Sequence, residues 1–276
     1  TYTQFEFSPI DRLRITAGVR YDRMSFDYMN MLDASGGTKA YHQVTPKLGA
    51  TYDLHKDRGV YVNYSEGFSP PGLTSIFRKR QGTHAGNPEF YYDLEPARFY
   101  NIEVGGWAAF FQNALFGDIA VYHMTGLKEL VNVRQPDNST DYQSAGKTIH
   151  RGIEYGITYK PEASWTLRFG GTNAIHHYSE FELSTRTTDD VRNVNGKEMP
   201  QAPRWIANLD VTYKPAVIKG LRASLEWQRI GSWYQDQINR IKYEDSGFLG
   251  LRGVSYLNFR AGYTWNSLEI FGHLLN

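Results

Sequence analysis

Apolar and polar residues alternate along most of this chain with a period of two. Along Gly152-Ile-Glu-Tyr-Gly-Ile-Thr-Tyr159 one face carries Ile153, Tyr155, Ile157 and Tyr159 and the other Gly152, Glu154, Gly156 and Thr158. That is the pattern of a strand with one apolar face. The chain turns within residues 160–164, where Pro161 has no N–H to give a ladder. A second strand follows, with Trp165, Leu167, Phe169 and Ile175 alternating with Thr166, Arg168, Gly170, Thr172 and His176. The same rule predicts strands before and after this hairpin. Leu13, Ile15, Ala17, Val19 and Tyr21 alternate with Arg14, Thr16, Arg20 and Asp22; Leu48, Ala50 and Tyr52 form another apolar row, as do Val60, Val62 and Tyr64. Strand character returns at residues 100–104 and continues through Leu115, Ile119 and Val121 until His123 interrupts the pattern, which predicts a bulge or a rim there. The last rows are Trp205 to Tyr213, Leu221 to Trp227, Leu257 to Trp265, and Leu268, Ile270 and Leu274.

The connections alternate as regularly as the residues. Short turns are expected at 8–11, 55–57, 111–113, 160–164, 215–220 and 266–267, and long polar loops at 29–37, 67–96, 135–140, 181–203 and 236–250. About twelve strands joined by short turns at one end and long loops at the other form the asymmetry of an outer-membrane barrel, with periplasmic turns and extracellular loops. The fold class read from this is all-β, an antiparallel transmembrane β-barrel. Tyr159 and Trp165 flank a short turn, where amphipathic rings would meet lipid headgroups. Arg14, Arg20, Glu103, Glu154, Arg168, Arg222, Glu226 and Arg260 fall on the polar faces, and a wet, ion-paired lining accommodates them where a dry core would not.

Composition alters this picture only slightly. With 41% hydrophobic residues and a mean hydropathy of −0.53 over 276 residues, the chain would pass for a water-soluble protein, but alternating lipid and lumen faces average to the same value. No run approaches the roughly 18 apolar residues of a spanning helix. Aromatics at 15%, including 20 Tyr, and 26 Gly suit interfacial girdles and close strand approach. Cysteine is absent, which excludes a disulfide scaffold and thiolate metal sites. A formal net charge of +1 gives no footprint for nucleic acid. The chain starts within an apparent strand, Thr1 to Phe7, and stops at Leu275-Asn276, so it reads as part of a longer barrel.

Candidate chemistry concentrates in the longest loop. Arg78, Lys79 and Arg80 are the densest basic run in the chain, and with His84, Tyr91 and Tyr92 they could recognise an anionic ligand through charge, guanidinium hydrogen bonds and aromatic faces. The competing reading is a solvated loop, or one touching lipopolysaccharide. His176 and His177 are adjacent, so alternation turns only one of them inward and both together do not chelate a metal. Asp189-Asp190 lacks ligands at calcium-loop spacing, and Gly146-Lys-Thr148 imitates a phosphate loop without its earlier glycine or following helix. No catalytic residue, metal site or cofactor is assigned.

Several stretches resemble the barrel of TonB-dependent outer-membrane receptors: residues 13–22 (LRITAGVRYD), 46–53 (PKLGATYD), 60–71 (VYVNYSEGFSPP), 100–105 (YNIEVG), 150–154 (HRGIE) and the closing 271–276 (FGHLLN). Their order and spacing span nearly the whole chain. The resemblance implies a barrel of about 22 strands plugged by an N-terminal globular domain, of which residues 1–276 would be a partial barrel domain without the plug, the early strands and the last strand. It further implies a bacterial outer-membrane receptor that imports a scarce nutrient, a ferric siderophore above all, driven by a TonB-type energy transducer acting through the plug. Outer-membrane lipid and lipopolysaccharide would be its surroundings. Two rivals remain at this point: a complete twelve-strand barrel enzyme, protease or lipase, and a passive porin.

Overall fold

The computed structural model describes residues 1–276 except 83, 84, 87 and 245–249. Twelve antiparallel strands form one sheet among the described residues: β1 (Tyr2–Ile10), β2 (Leu13–Met29), β3 (Gly36–His55), β4 (Arg58–Ser69), β5 (Ala97–Phe110), β6 (Leu115–Arg134), β7 (Thr140–Tyr159), β8 (Trp165–Glu180), β9 (Trp205–Tyr213), β10 (Leu221–Gly231), β13 (Gly253–Trp265) and β14 (Leu268–Leu274). A two-stranded ribbon of β11 (Trp233–Tyr234) and β12 (Lys242–Tyr243) stands apart, and the long loop contains one turn of helix, α1 (Leu73–Ile76). Each strand of the sheet pairs with the one before and the one after it, a meander with free edges at β1 and β14.

Register turns the alternation into surfaces. Ile15, Ala50, Val62, Val104, Val121 and Ile153 are successive cross-strand partners from β2 to β7. Val62, Val104, Val121 and Ile153 in that row are all more than 40% exposed. Apolar side chains in contiguous exposed rows have no place in water, and in lipid they form the outer belt of a barrel. One residue along, the opposite face reads Thr16, Gly49, Asn63, Glu103, Tyr122 and Gly152. Tyr61 lies across Gly105 on that face, where a Cβ would stand 2.6 Å from the phenol ring. Glycine is what permits the approach.

The polar face carries its charges in pairs. Arg14 meets Asp53 at 3.6 Å, Arg20 Asp22 at 2.6 Å, Arg168 Asp210 at 3.5 Å and Arg260 Glu226 at 3.1 Å, while Arg222 is bound to Glu269. The belt is edged at both ends. Tyr159, Trp165, Tyr213 and Trp265 gather at the short-turn end, with Trp165 and Tyr213 4.4 Å apart. Toward the loops, the Trp205 indole donates to the Tyr155 hydroxyl at 2.9 Å, Tyr21 meets His42 at 2.6 Å, and His123 and Arg151, register partners on β6 and β7, are exposed.

Four details depart from the pattern-based expectation. The first turn is not at 8–11: β1 runs on to Ile10 with an irregular register after Phe7, and Arg12 at φ 74° makes the turn. Pro9 is tolerated because β1 is an edge strand, whose outer N–H groups have no partner. Of the bulge or rim expected at His123 only the bulge is absent: β6 stays in register with both neighbours there, and the irregularity falls at 127–130, around Lys128 at φ 58°. Residues 67–69 belong to β4 rather than to the long loop. The strands are also longer than read, with β3, β6 and β7 each 20 residues. A strand crosses a bilayer in about 9–11 residues, so their upper halves stand above the membrane.

Packed clusters lie at that upper end. One joins Tyr41, Ile76, Phe77 and Phe90, with Phe26, Tyr28 and Tyr92 against it. Another joins Val131, Val133, Tyr178, Phe181 and Val194 beneath the 181–204 loop.

Candidate functional site

The long loop after β4 is pinned to the strand tops rather than held out in solvent. Pro71, Ile76, Phe77 and Phe90 are buried, and the loop carbonyls are taken up from below: the Tyr41 hydroxyl donates to Leu94 at 2.9 Å, and the Lys39 ammonium to Tyr92. Ser144 on β7 receives the Glu95 N–H at 2.8 Å and donates back to the Glu95 carbonyl at 3.0 Å. The apolar residues of the loop therefore make a small core with β2 and β3, and this core sets where the basic run sits.

That run is largely neutralised within the protein. Lys79 lies 2.7 Å from Asp33 and 2.9 Å from Glu89. Asp33 is held well below the usual carboxylate range, first by Lys79 and then by Ser35, and Lys79 is raised above the usual lysine range by Asp33 and Glu89. Arg80 is bound to Asp93, donates from Nε to the Phe90 carbonyl at 3.3 Å, and stacks 4.5 Å from the Tyr91 ring centroid. Arg78 is exposed, as is Lys79, and its guanidinium lies 5.0 Å from the Tyr142 ring. Of the three charges, only Arg78 is without a carboxylate partner among the described residues.

The two tyrosines divide. Tyr91 is 1% exposed, with its hydroxyl donating to the Thr140 carbonyl at 3.2 Å and its ring edge-on to Tyr142. It positions Arg80 and offers no face outward. Tyr92 is half-buried, edge-on to Phe77 and Phe90 at 6.0 Å each. His84 lies outside the described residues. The structure thus brings Arg78, Arg80, Tyr91 and Tyr142 together and turns Lys79 away toward Asp33.

Two arrangements were missed by sequence reasoning. The first is a lumen-side hollow of about 600 Å³ at the tops of β9 and β10, lined by Gln201, Pro203, Ile206, Ile230, Trp233 and Gln235. Trp233 stacks on Tyr243 there, 4.4 Å between centroids and 18° between planes. The aromatic pair Trp233-Tyr234 was the available signal, but no alternation surrounds it. The second is a chain of polar side chains across β6, β7 and β8. His176 meets not His177 but His150, 2.8 Å between their Nδ1 atoms, and His150 Nε2 lies 2.9 Å from Thr148 Oγ1, which donates to Glu129. His177 pairs in register with Ile149, on the opposite face from His176. Asp189, in the 181–204 loop, accepts from Ser184 at 2.6 Å and lies 3.7 Å from Arg186, a local cap.

Comparison with known proteins agrees with this geometry. The siderophore receptor PiuA of Acinetobacter baumannii is 25% identical over 219 residues, covering 74% of this chain and 28% of that protein. Its crystal structure superposes with a TM-score of 0.72 at 20% identity, over 96% of this chain and 36% of that one. The closed form of the ferric-catecholate import receptor Fiu from Escherichia coli K12 gives a TM-score of 0.72 at 17% identity, over 100% of this chain and 39% of that one. The chain therefore spans about a third of the length of the proteins it matches. The model of the family described as "TonB dependent receptor-like, beta-barrel" matches residues 1–276 from end to end, and on that match the chain belongs to the TonB-dependent receptor family, as a segment of its outer-membrane β-barrel.

Proposed function

We infer that the whole protein is an outer-membrane receptor that captures a scarce nutrient from outside, a ferric siderophore in the first instance, and imports it with energy from a TonB-type transducer acting through a plug domain. The observation that carries this reading is the sheet itself, apolar and exposed on one face and lined with paired charges on the other, in a chain that matches the receptor family throughout. The names of PiuA and Fiu support the cargo class. Neither a barrel enzyme nor a passive porin is favoured by any feature described above. The exposed rows contact membrane lipid, and His123 and Arg151, at the outer rim of the belt, stand where lipopolysaccharide phosphates lie.

Within this reading, Arg78 is the loop residue that meets an anionic ferric chelate, because its charge alone in the basic run has no carboxylate partner among the described residues. Lys79 and Arg80 hold the loop. The test is binding of ferric catecholate and ferric hydroxamate probes to the full-length receptor at rising ionic strength, together with uptake of radioactive iron by iron-starved cells with and without a proton-motive force. R78Q is expected to weaken binding several-fold and to flatten its salt dependence. Uptake that continues after the proton-motive force is collapsed would remove the energy-coupled reading, and wild-type binding by R78Q would remove the residue's role.

A further inference from the structure

The polar chain on β6–β8 lies on the inward face, since His150 shares the face of Gly152 and Glu154. Outward Arg151, the next residue, marks the upper edge of the lipid belt, so the chain sits on the lumen wall just above the membrane. Its hydrogen bonds have one consistent direction. The Thr148 hydroxyl gives its proton to Glu129, so at His150 it can only accept, from Nε2–H at 2.9 Å. Neutral His150 is thereby fixed as the tautomer whose Nδ1 is a bare lone pair, and that lone pair faces His176 Nδ1 at 2.8 Å. Thr148 is fully buried and His150 is 9% exposed, so ring and tautomer are held by packing as well as by hydrogen bonds.

This is the arrangement metal-binding histidines have before the ion arrives. A ligating imidazole characteristically donates its other N–H to a fixed acceptor that orients it, and Thr148 backed by Glu129 is such an acceptor. Two nitrogens at about 2.0–2.1 Å from one tetrahedral ion are about 3.3 Å apart, so the two Nδ1 atoms need to separate by only about half an ångström. Among the described residues no group of three His, Asp or Glu side chains is available to a metal. The soft donor in the same inward row is Met124, the register partner of His150 on β6, on the side of His150 away from His176. In-register side chains on one face stand about 5 Å apart at Cβ.

We propose that His150 and His176, with Met124 beside them, form a lumen-wall site for a copper-type transition-metal ion. Two imidazoles and a thioether are a borderline-to-soft donor set, which selects Cu²⁺ or Cu⁺ over the hard, oxygen-seeking cations. Binding forms two metal–Nδ1 bonds and breaks the Nδ1–H bond of His176. Solvent supplies a proton to His176 Nε2 as the Nδ1 proton leaves, so both imidazoles remain neutral and no net proton is released. The remaining coordination positions face the lumen and are open to water or to donors of a chelator.

The proposal is independent of the siderophore reading, because the probe is the bare ion. Cu²⁺ is titrated into the full-length receptor in detergent, and pulsed electron paramagnetic resonance counts the coordinated imidazoles. One Cu²⁺ per receptor with two imidazoles is expected. H150Q and H176Q should each weaken binding by about tenfold or more and reduce the count, and T148V should weaken it by about 10–100-fold by freeing the His150 ring. H177Q, on the opposite face, should bind as wild type, and M124L should weaken Cu⁺ more than Cu²⁺. Wild-type stoichiometry and imidazole count in the H150Q/H176Q double variant would overturn the site. If a histidine variant fails to fold, the wild-type receptor still decides, because fewer than two imidazoles in its spectrum overturns the proposal equally.

Discussion

A single side chain on this sheet has one of two solvents, and the parity of its position decides which. Leu225 is 42% exposed on the belt, in register with Val211 and Phe259. Leu225→Arg is expected to cost about 2–4 kcal/mol if it lies near the bilayer midplane, whereas Thr212→Arg, facing the lumen, should cost under about 1 kcal/mol. Refolding titrations of the full-length receptor into lipid measure both, and equal costs would mean the sheet does not span a membrane. Parity was legible in the sequence because it is local: residues i and i+2 share a face whatever the rest of the chain does. The state of the basic run was not. Lys79 is neutralised by Asp33, which arrives from the β2–β3 loop, and Tyr91 is buried against Tyr142 from β7. Asp33 comes from another loop, and Glu89 and Asp93 lie beyond any local period, so of three charges that read as free only Arg78 stays without a carboxylate among the described residues. The His150–His176 pair escaped for the same reason, since only the β7–β8 register brings the two rings together.

At the scale of elements, strands and turns were readable and loop packing was not. The upper ends of β3 and β7 are largely polar on both faces, and the irregular register at 127–130 breaks the period of β6, so alternation faded before the strands did and all three read short. The two-residue strands β11 and β12 are too brief to show any period. Orientation follows from the turns. An impermeant thiol reagent on whole cells should label Thr74→Cys, in α1, and not Ala163→Cys, in the β7–β8 turn; the reverse would invert the topology. The tie between the long loop and the β2–β3 loop carries a pH signature. Asp33 is depressed from 3.8, mainly by Lys79, so the tie is complete above the ordinary carboxylate value and is lost only as pH falls through the lowered one. A spin label at Thr74→Cys should keep its mobility from pH 8 down to about 4, and D33N should loosen it at every pH. Loosening of the wild type between pH 7 and 5 would show that Asp33 is not the anchor.

At the scale of the molecule, the twelve strands make one sheet whose edges, β1 and β14, are unpaired among the described residues. Lipid supplies no hydrogen bonds to an unpaired strand, which is why membrane sheets close on themselves. The 276-residue chain by itself should therefore fail to give the compact, heat-modifiable species on semi-native gels that the full-length receptor gives; a discrete compact band from the chain alone would show that its edges find each other or a second copy. The family resemblance was legible at this scale, because its short stretches keep their order from residue 13 to residue 276. What covers the edges of the sheet was not, since β1 and β14 pair with no further strand among the described residues. The internal pairing of the loop charges has a wider consequence. Lys79 with Asp33 and Glu89, and Arg80 with Asp93, form ion pairs too short to project a field far into solvent. Glu89 and Asp93 travel with that arm and keep Lys79 and Arg80 screened wherever it moves, whereas Asp33 stays behind on the β2–β3 loop and Arg78 carries its charge along without a carboxylate among the described residues. What an anion approaching the mouth feels of the arm at long range is then chiefly the position of one guanidinium, so the posture of the arm is signalled by Arg78 alone while its other cations report only at contact.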